Sequence, residues 1–209
     1  MITIDFEGVG LRFGSNALFH DLTTRISSGA VTVVTGCNGS GKSTFLCLAA
    51  RLILPDEGNI RILDGNAPLG KGAFRRRLAM VRPEWNLYSH LTAEENLRFF
   101  LGMRGISLDS REVEFLWERV GLSAEEIRGR YGSELSTGMG QRVKFAILLA
   151  SEADVWLMDE PSANLDTAGL SMVLEESHRA AIAGKLVLLA TNDPREEEAA
   201  DTVIRLPWG

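Results

Sequence analysis

Residues 36–44 read GCNGSGKST, and few stretches restrict a chain as tightly. Gly36 to Ser43 fits the pattern G-x-x-x-x-G-K-[ST]. It follows VTVVT (31–35) and precedes an apolar run that reads as a helix over about 43–52. Gly39 and Gly41 let the backbone turn its N–H groups inward around phosphate oxygens. Lys42 supplies a point charge for the terminal phosphates, and Ser43 offers its hydroxyl to Mg²⁺. The helix N-terminus adds its partial positive charge. VTVVT is apolar nearly throughout, as expected of a strand buried on both faces. Strand, loop and helix by themselves name no reaction, because small kinases, GTPases and motor ATPases share them.

The rest of the chain fits around this unit. ITIDF and LRF read as strands before it, and NIRIL reads as a strand after the Pro55-Asp56-Glu57-Gly58 turn. From Thr92 the pattern turns helical. Thr92-Ala93-Glu94-Glu95 and Ser123-Ala124-Glu125-Glu126 are capping boxes. Then come VWLM (155–158), a helix over about 167–183, LVLLA (186–190), a short helix with Asp193 as cap and Pro194 at its first position, and VIRL. Strands alternating with helices predict an α/β fold with a mainly parallel sheet, preceded by an N-terminal antiparallel strand region. One domain is expected over 1–209, its core formed by about 1–83 and 150–209 and an inserted helical lobe by about 84–149. The chain ends at Leu206-Pro207-Trp208-Gly209, just past the last strand, so no appended regulatory domain is expected.

Charge narrows the partners. The formal net charge is −6, which argues against nucleic acid as the partner, since phosphate neutralisation needs a basic face. Arg75, Arg76 and Arg77 form the one basic cluster and read as a solvated face. No apolar run approaches a membrane span, and MITIDFEGVG has the make-up of no signal peptide. Cys37 and Cys47 suggest neither a disulfide framework nor a metal site, and read as two reduced thiols.

Two further stretches carry chemistry. In VWLMDEPSANLD (155–166), an apolar strand ends in Asp159-Glu160. An Asp at a strand's carboxyl end, beside a phosphate loop, is placed to hold Mg²⁺. A carboxylate one residue later can polarise an attacking water, which favours hydrolysis over transfer to a metabolite. In ELSTGMGQR (134–142), a serine and two glycines lead into the apolar run VKFAILLA. That is a second anion-ready helix start in one small chain.

Together these residues resemble the nucleotide-binding subunits of ABC transporters over essentially the whole length. GCNGSGKST is similar to the family's Walker A, LSTGM to its signature loop, WLMDE to its Walker B with the catalytic glutamate, and SANLD to its D-loop. The resemblance implies a P-loop NTPase fold of the ABC ATPase type, ATP and Mg²⁺ as ligands, and ATP hydrolysis. It implies ATP held by Gly36, Asn38, Gly39, Ser40, Gly41, Lys42, Ser43 and Thr44, with the adenine against Phe13. It implies Mg²⁺ at Ser43 and Asp159, and catalysis by Glu160 with Lys42 and Asn192. Two such chains pack head to tail in the family. Ser136 and the Gly138 N–H would then contact the γ-phosphate held by a second ATPase chain, identical or not, which accounts for two phosphate loops in one sequence. A membrane-spanning transporter subunit is the other implied partner, with the chain cytoplasmic and peripheral on the inner face of the cell membrane.

Three positions depart from the pattern. Met139 stands where glutamine is commoner. LLATNDP puts Asn192 where the family has a histidine; an amide still donates a hydrogen bond but carries neither proton nor charge. Near the start of the lobe, AMVRPEWNLYSHLT puts Pro83 or Glu84 where the family has a glutamine that feels Mg²⁺ and the attacking water. Trp85, Leu87, Tyr88 and Phe99 are candidates either for the groove that grips the membrane partner or for the lobe's own core. Compact length, LSTGM and ATNDP look most like exporter-type subunits, including the ATPase of the cytochrome c maturation haem exporter. The rival reading is a stand-alone ABC ATPase serving a soluble assembly such as iron–sulfur cluster biogenesis. A small P-loop kinase would leave LSTGM and DEPSANLD without a role, and a chromosome-maintenance ATPase would split the motifs around a long coiled coil.

Overall fold

A computed structural model describes residues 1–14 and 16–207; Ser15, Trp208 and Gly209 lie outside the described residues. The chain forms two compact units. The first comprises Met1–Met80, Ala153–Glu160 and Glu176–Gly209, the second Val81–Glu152 and Pro161–Glu175.

The first unit carries two sheets. β1 (Ile2–Phe13) and β2 (Asn16–Ser27) pair antiparallel, and β1 also pairs antiparallel with β4 (Glu57–Asp64). ITIDF and LRF are thus one long strand, interrupted by register shifts near Gly8, where φ is +60°. Ile2, Ile4 and Phe6 alternate into the core. Asp5 faces the other way and is still buried, its carboxylate closed by both arms of Arg25 at 2.7 Å. A two-residue β5 (Ala67–Pro68) completes this sheet in the order β2-β1-β4-β5.

The second sheet has the order β6-β7-β8-β3-β9, with β3 (Val31–Gly36) between β8 (Leu186–Thr191) and β9 (Thr202–Leu206), and β6 (Leu78–Val81) beside β7 (Val155–Asp159). β3 is parallel to β8 and β9, and β7 is parallel to β8. Every residue of β7 and β8 is buried, as their unbroken apolar runs require. α1 (Lys42–Ala49) packs against β3, β7 and β8. On it Phe45 stacks on Phe6 at 4.7 Å between ring centres and meets the edge of Phe19 at 6.4 Å. These rings fix α1 to the antiparallel sheet.

β2, β5 and α2 (Lys71–Arg77) escape the sequence reading because none of them carries an unbroken apolar run. Of the basic trio, Arg75 and Arg76 are exposed as expected, and Arg77 is half-buried and ion-paired. It bridges Asp64 at 2.7 Å and Asp154 at 2.5 Å. Neither cysteine is in a disulfide.

The second unit is helical. α3 (Ala93–Gly102), α4 (Ser110–Arg119) and α5 (Ala124–Ile127) each begin in a capping box, set by Thr92–Glu95, Asp109–Glu112 and Ser123–Glu126. α6 (Thr137–Ala150) packs on α3 and α4. Leu97, Leu101, Val113, Trp117, Val143 and Phe145 are among its buried residues. Asn96 is fully buried: it accepts from the Tyr88 N–H at 2.7 Å and donates to the Tyr88 and Thr92 carbonyls at 3.0 Å, fixing the turn before α3. α7 (Thr167–Ile182) begins in this unit, and α8 (Pro194–Glu198) belongs to the first. Among the described residues no helix is long and apolar enough to cross a membrane.

Candidate nucleotide site

β3 delivers the chain into the phosphate loop, and two glycines there have no substitute. A Cβ on Gly36 would lie 2.5 Å from the Leu206 carbonyl oxygen and 2.7 Å from Ser40 Oγ. Gly41, at φ +99°, caps α1, and a Cβ there would stand 2.9 Å from the Phe19 ring. Lys42 is buried inside the curl it closes, donating to the carbonyls of Gly36 at 2.8 Å and Cys37 at 3.2 Å. The hydroxyl of Ser40 is buried and has no hydrogen-bond partner among the described residues.

The loop borders a cavity of about 530 Å³ lined by Phe13, Leu18, Asn38, Gly39, Gly41, Lys42, Ser43, Thr44 and Glu160. That volume lies in the range of small-molecule sites. Asp159 ends β7 and is 2% exposed. Glu160 follows at φ +48°, a left-handed conformation unusual for a non-glycine residue, and its N–H donates to the Ala190 carbonyl at 2.8 Å. Asn192, just past β8, donates through Nδ2 to Asn38 Oδ1 at 2.6 Å. The structure therefore brings together Phe13, the loop residues, Glu160 and, through Asn38, Asn192. An exposed ring, an ammonium, a helix N-terminus, two hydroxyls and the Glu160 carboxylate fit a nucleoside triphosphate, while Asp159 is buried at the end of β7 and is not among the residues that line the cavity.

Ser136 and Gly138 lie in the second unit. Ser136 is the N-cap of α6, accepting from the Met139 N–H at 3.2 Å. A Cβ on Gly138 would lie 2.9 Å from the Asn164 carbonyl, so the LSTGM turn and the SANLD segment touch. α6 holds that segment with two more side chains. Gln141 donates to the Pro161 carbonyl at 2.9 Å. Arg142 reaches the Val120 carbonyl at 2.6 Å and Asp166 at 2.7 Å. The Gly169 N–H and, secondarily, Arg142 hold the Asp166 carboxyl below the usual range.

A second cavity, of about 240 Å³, lies along this turn, bordered among others by Pro83, Asn86, Leu87, Ser136, Lys144 and Asn164. Lys144 is 9% exposed and donates to the Pro83 carbonyl at 3.3 Å; burial lowers its pKa. Sequence reasoning passed it over, although a lysine inside VKFAILLA was the available signal. Glu84 pairs with Arg82 at 3.4 Å. Trp85 packs edge-on to Phe100 at 4.8 Å, while Tyr88 and Phe99, 5.1 Å apart, are both 42% exposed.

Comparison with known proteins shows the family and the fold. The sequence profile described as "ABC transporter" matches residues 19–163. A histidine transport ATP-binding protein of Pseudomonas aeruginosa is 35% identical, over 92% of this chain and 82% of its own. A cytochrome c biogenesis ATP-binding export protein of Rhizobium johnstonii is 36% identical, over 90% and 87%. Among solved structures, a dimeric post-hydrolysis ATP-binding cassette bound to ADP and Pi superposes with a TM-score of 0.82 at 23% identity, over 97% of this chain and 94% of that one. The chain belongs to the ABC transporter family, as an ATP-binding subunit. Its activity is that of an ABC ATPase.

Proposed function

We propose that this chain hydrolyses ATP in a two-chain motor and thereby drives a separate membrane-spanning subunit. The observation that carries the reading is the cavity where Lys42, Ser43, Phe13 and Glu160 meet. Phe13 would stack the adenine. The N–H groups of Gly39, Ser40, Gly41, Lys42, Ser43 and Thr44 would bind phosphate oxygens, with the Lys42 ammonium against the terminal phosphates. Ser43 and Asp159 would hold Mg²⁺, which when bound neutralises charge on those phosphates. Glu160 would orient the attacking water and take its proton, and Asn192 would donate to the γ-phosphate. The strained backbone at Glu160 supports that role, since such strain gathers where orientation matters.

In this reading the two units work as one ATPase domain, and each ATP site is complete only between two chains. Ser136 and the Gly138 N–H would complete the site of a second ATPase chain. Closure on ATP and opening after hydrolysis would move a membrane partner gripped near Tyr88 and Phe99, with the chain peripheral on the cytoplasmic face of the membrane. Export is the direction proposed, on the likeness of LSTGM and ATNDP to exporter-type subunits and on the export relative. The membrane subunit itself selects the cargo.

The test is Glu160→Gln with its mass followed by light scattering, with and without Mg-ATP. A dimer only with Mg-ATP is the expected result. A monomer that has demonstrably bound ATP would refute the shared site for the isolated chain.

A further inference from the structure

We propose that Asn38 is a positioning residue, whose side chain holds the Asn192 amide in the orientation that serves the γ-phosphate. The inference rests on the reading that Asn192 donates to that phosphate. Both residues are exposed, yet each stands on fixed backbone. Asn38 sits in the turn closed by the Ser40 N–H to Cys37 carbonyl bond at 3.1 Å. Asn192 lies between Thr191, which is buried in β8, and Asp193, which caps α8 through the Arg195 N–H at 2.9 Å. The Thr191 hydroxyl accepts from the Asp193 N–H at 2.9 Å, so the chain on either side of Asn192 is tied.

The side chain is what the backbone leaves loose. An exposed carboxamide rotates freely about its last bond and offers oxygen and nitrogen almost equally. The 2.6 Å bond from Nδ2 to Asn38 Oδ1 makes that choice dependent on Asn38, whose oxygen faces the Asn192 nitrogen. One N–H is committed to the phosphate loop. The other lies in the same plane, fixed in direction, and the nitrogen rather than the oxygen is kept on the side of the loop. A histidine would need no such partner to present a donor, because both ring nitrogens donate when it is charged. The neutral amide does need one, and Asn38 supplies it from within the loop that would hold the phosphates. Asn38 thereby acts through Asn192 and does not need to touch the nucleotide itself.

The test is a double-mutant cycle of Asn38→Ala and Asn192→Ala on the full chain, reading kcat and KM for Mg-ATP, with thermal melts to check folding. Coupled contacting residues give about a fivefold interaction, and the expectation follows from that size. Asn192→Ala should lower kcat, and Asn38→Ala alone should lower it by about fivefold with KM nearly unchanged. In the Asn192→Ala background, Asn38→Ala should add nothing. Equal effects in both backgrounds, or an Asn38→Ala defect in KM alone, would overturn the inference and leave the role of Asn192 standing. An Asn192→Ala variant with unchanged kcat would instead remove the reading on which the inference rests.

Discussion

Replacing Lys144 by methionine should leave the fold as stable as before or make it more stable, although a hydrogen bond is lost. The side chain is 9% exposed, and its ammonium donates to the Pro83 carbonyl at 3.3 Å. A hydrogen bond to a charged group contributes about 1.5–3 kcal/mol at good geometry, and this one is long. Against it stands desolvation of the ammonium, several kcal/mol for an ion taken wholly out of water. The cavity beside it reduces both terms, because water screens them. Burial is the larger influence on the ammonium: it holds the pKa below the usual 10.5, and the attraction of Glu84 offsets this only in part. The protein therefore penalises the charged form relative to the unfolded chain. Methionine keeps the length of the stem and drops the charge. The Pro83 carbonyl, on an exposed residue, can turn to water. The net change should lie between zero and about 1 kcal/mol in favour of the variant. The linkage has a matching sign. Between the lowered folded value and 10.5 the unfolded chain binds more protons at this site, so the site's contribution to stability rises with pH through that window. Urea melts of both proteins at about pH 7, 8.5 and 10 would read this. Methionine should lose its advantage as the pH rises. A variant less stable by more than about 1 kcal/mol at neutral pH, or an advantage that grows towards pH 10, would refute the reasoning.

Two other perturbations test the scaffold. Phe45→Ala empties a fully buried ring site between Phe6 and Phe19 and should cost about 3–5 kcal/mol in chemical denaturation. A cost under about 2 kcal/mol would mean that the rings do not fix α1. Glu95→Gln tests the capping box of α3. The backbone N–H of Thr92, then its hydroxyl, holds the Glu95 carboxyl below its usual 4.5. Its contribution is present above 4.5 and is lost as the pH falls through the lower folded value. The glutamine variant should lack that acid-side loss, and identical acid melts for the two proteins would count against the box.

What could be read in the sequence was local. A capping box is an i,i+3 pattern, and Thr92–Glu95 and Ser123–Glu126 were visible for that reason. The phosphate loop compresses its chemistry into nine residues, and β7 and β8 announce their burial by unbroken apolar runs. β2 stayed hidden because NALFHDLTTRIS alternates buried and exposed positions irregularly. For the candidate site the sequence named residues and not the contacts between them. Asn192 meets Asn38 across 154 positions, and Lys144 meets Pro83 across 61. No periodicity or motif encodes pairs that far apart. The sequence therefore shows departures from a pattern at Pro83, Glu84 and Asn192, but not what faces them.

Glu160 shows where local reading stops short even for adjacent residues. Asp159 and Glu160 look alike in the text, two acids at the end of one strand. In the structure Asp159 is the last paired residue of β7, opposite Ala190, and is almost fully buried. Glu160 leaves the strand at φ +48°, at a cost of roughly 1–2 kcal/mol. Had the chain stayed extended, the two side chains would have pointed to opposite faces of the sheet. The left-handed turn, held by the N–H bond to Ala190 and followed by the buried Pro161, breaks that alternation and brings Glu160 to the cavity's edge beside Lys42 and Ser43. One acid is placed by the sheet and the other by strain. That difference separates two carboxylates that are neighbours in the sequence, one held within the sheet and one set at the edge of the cavity.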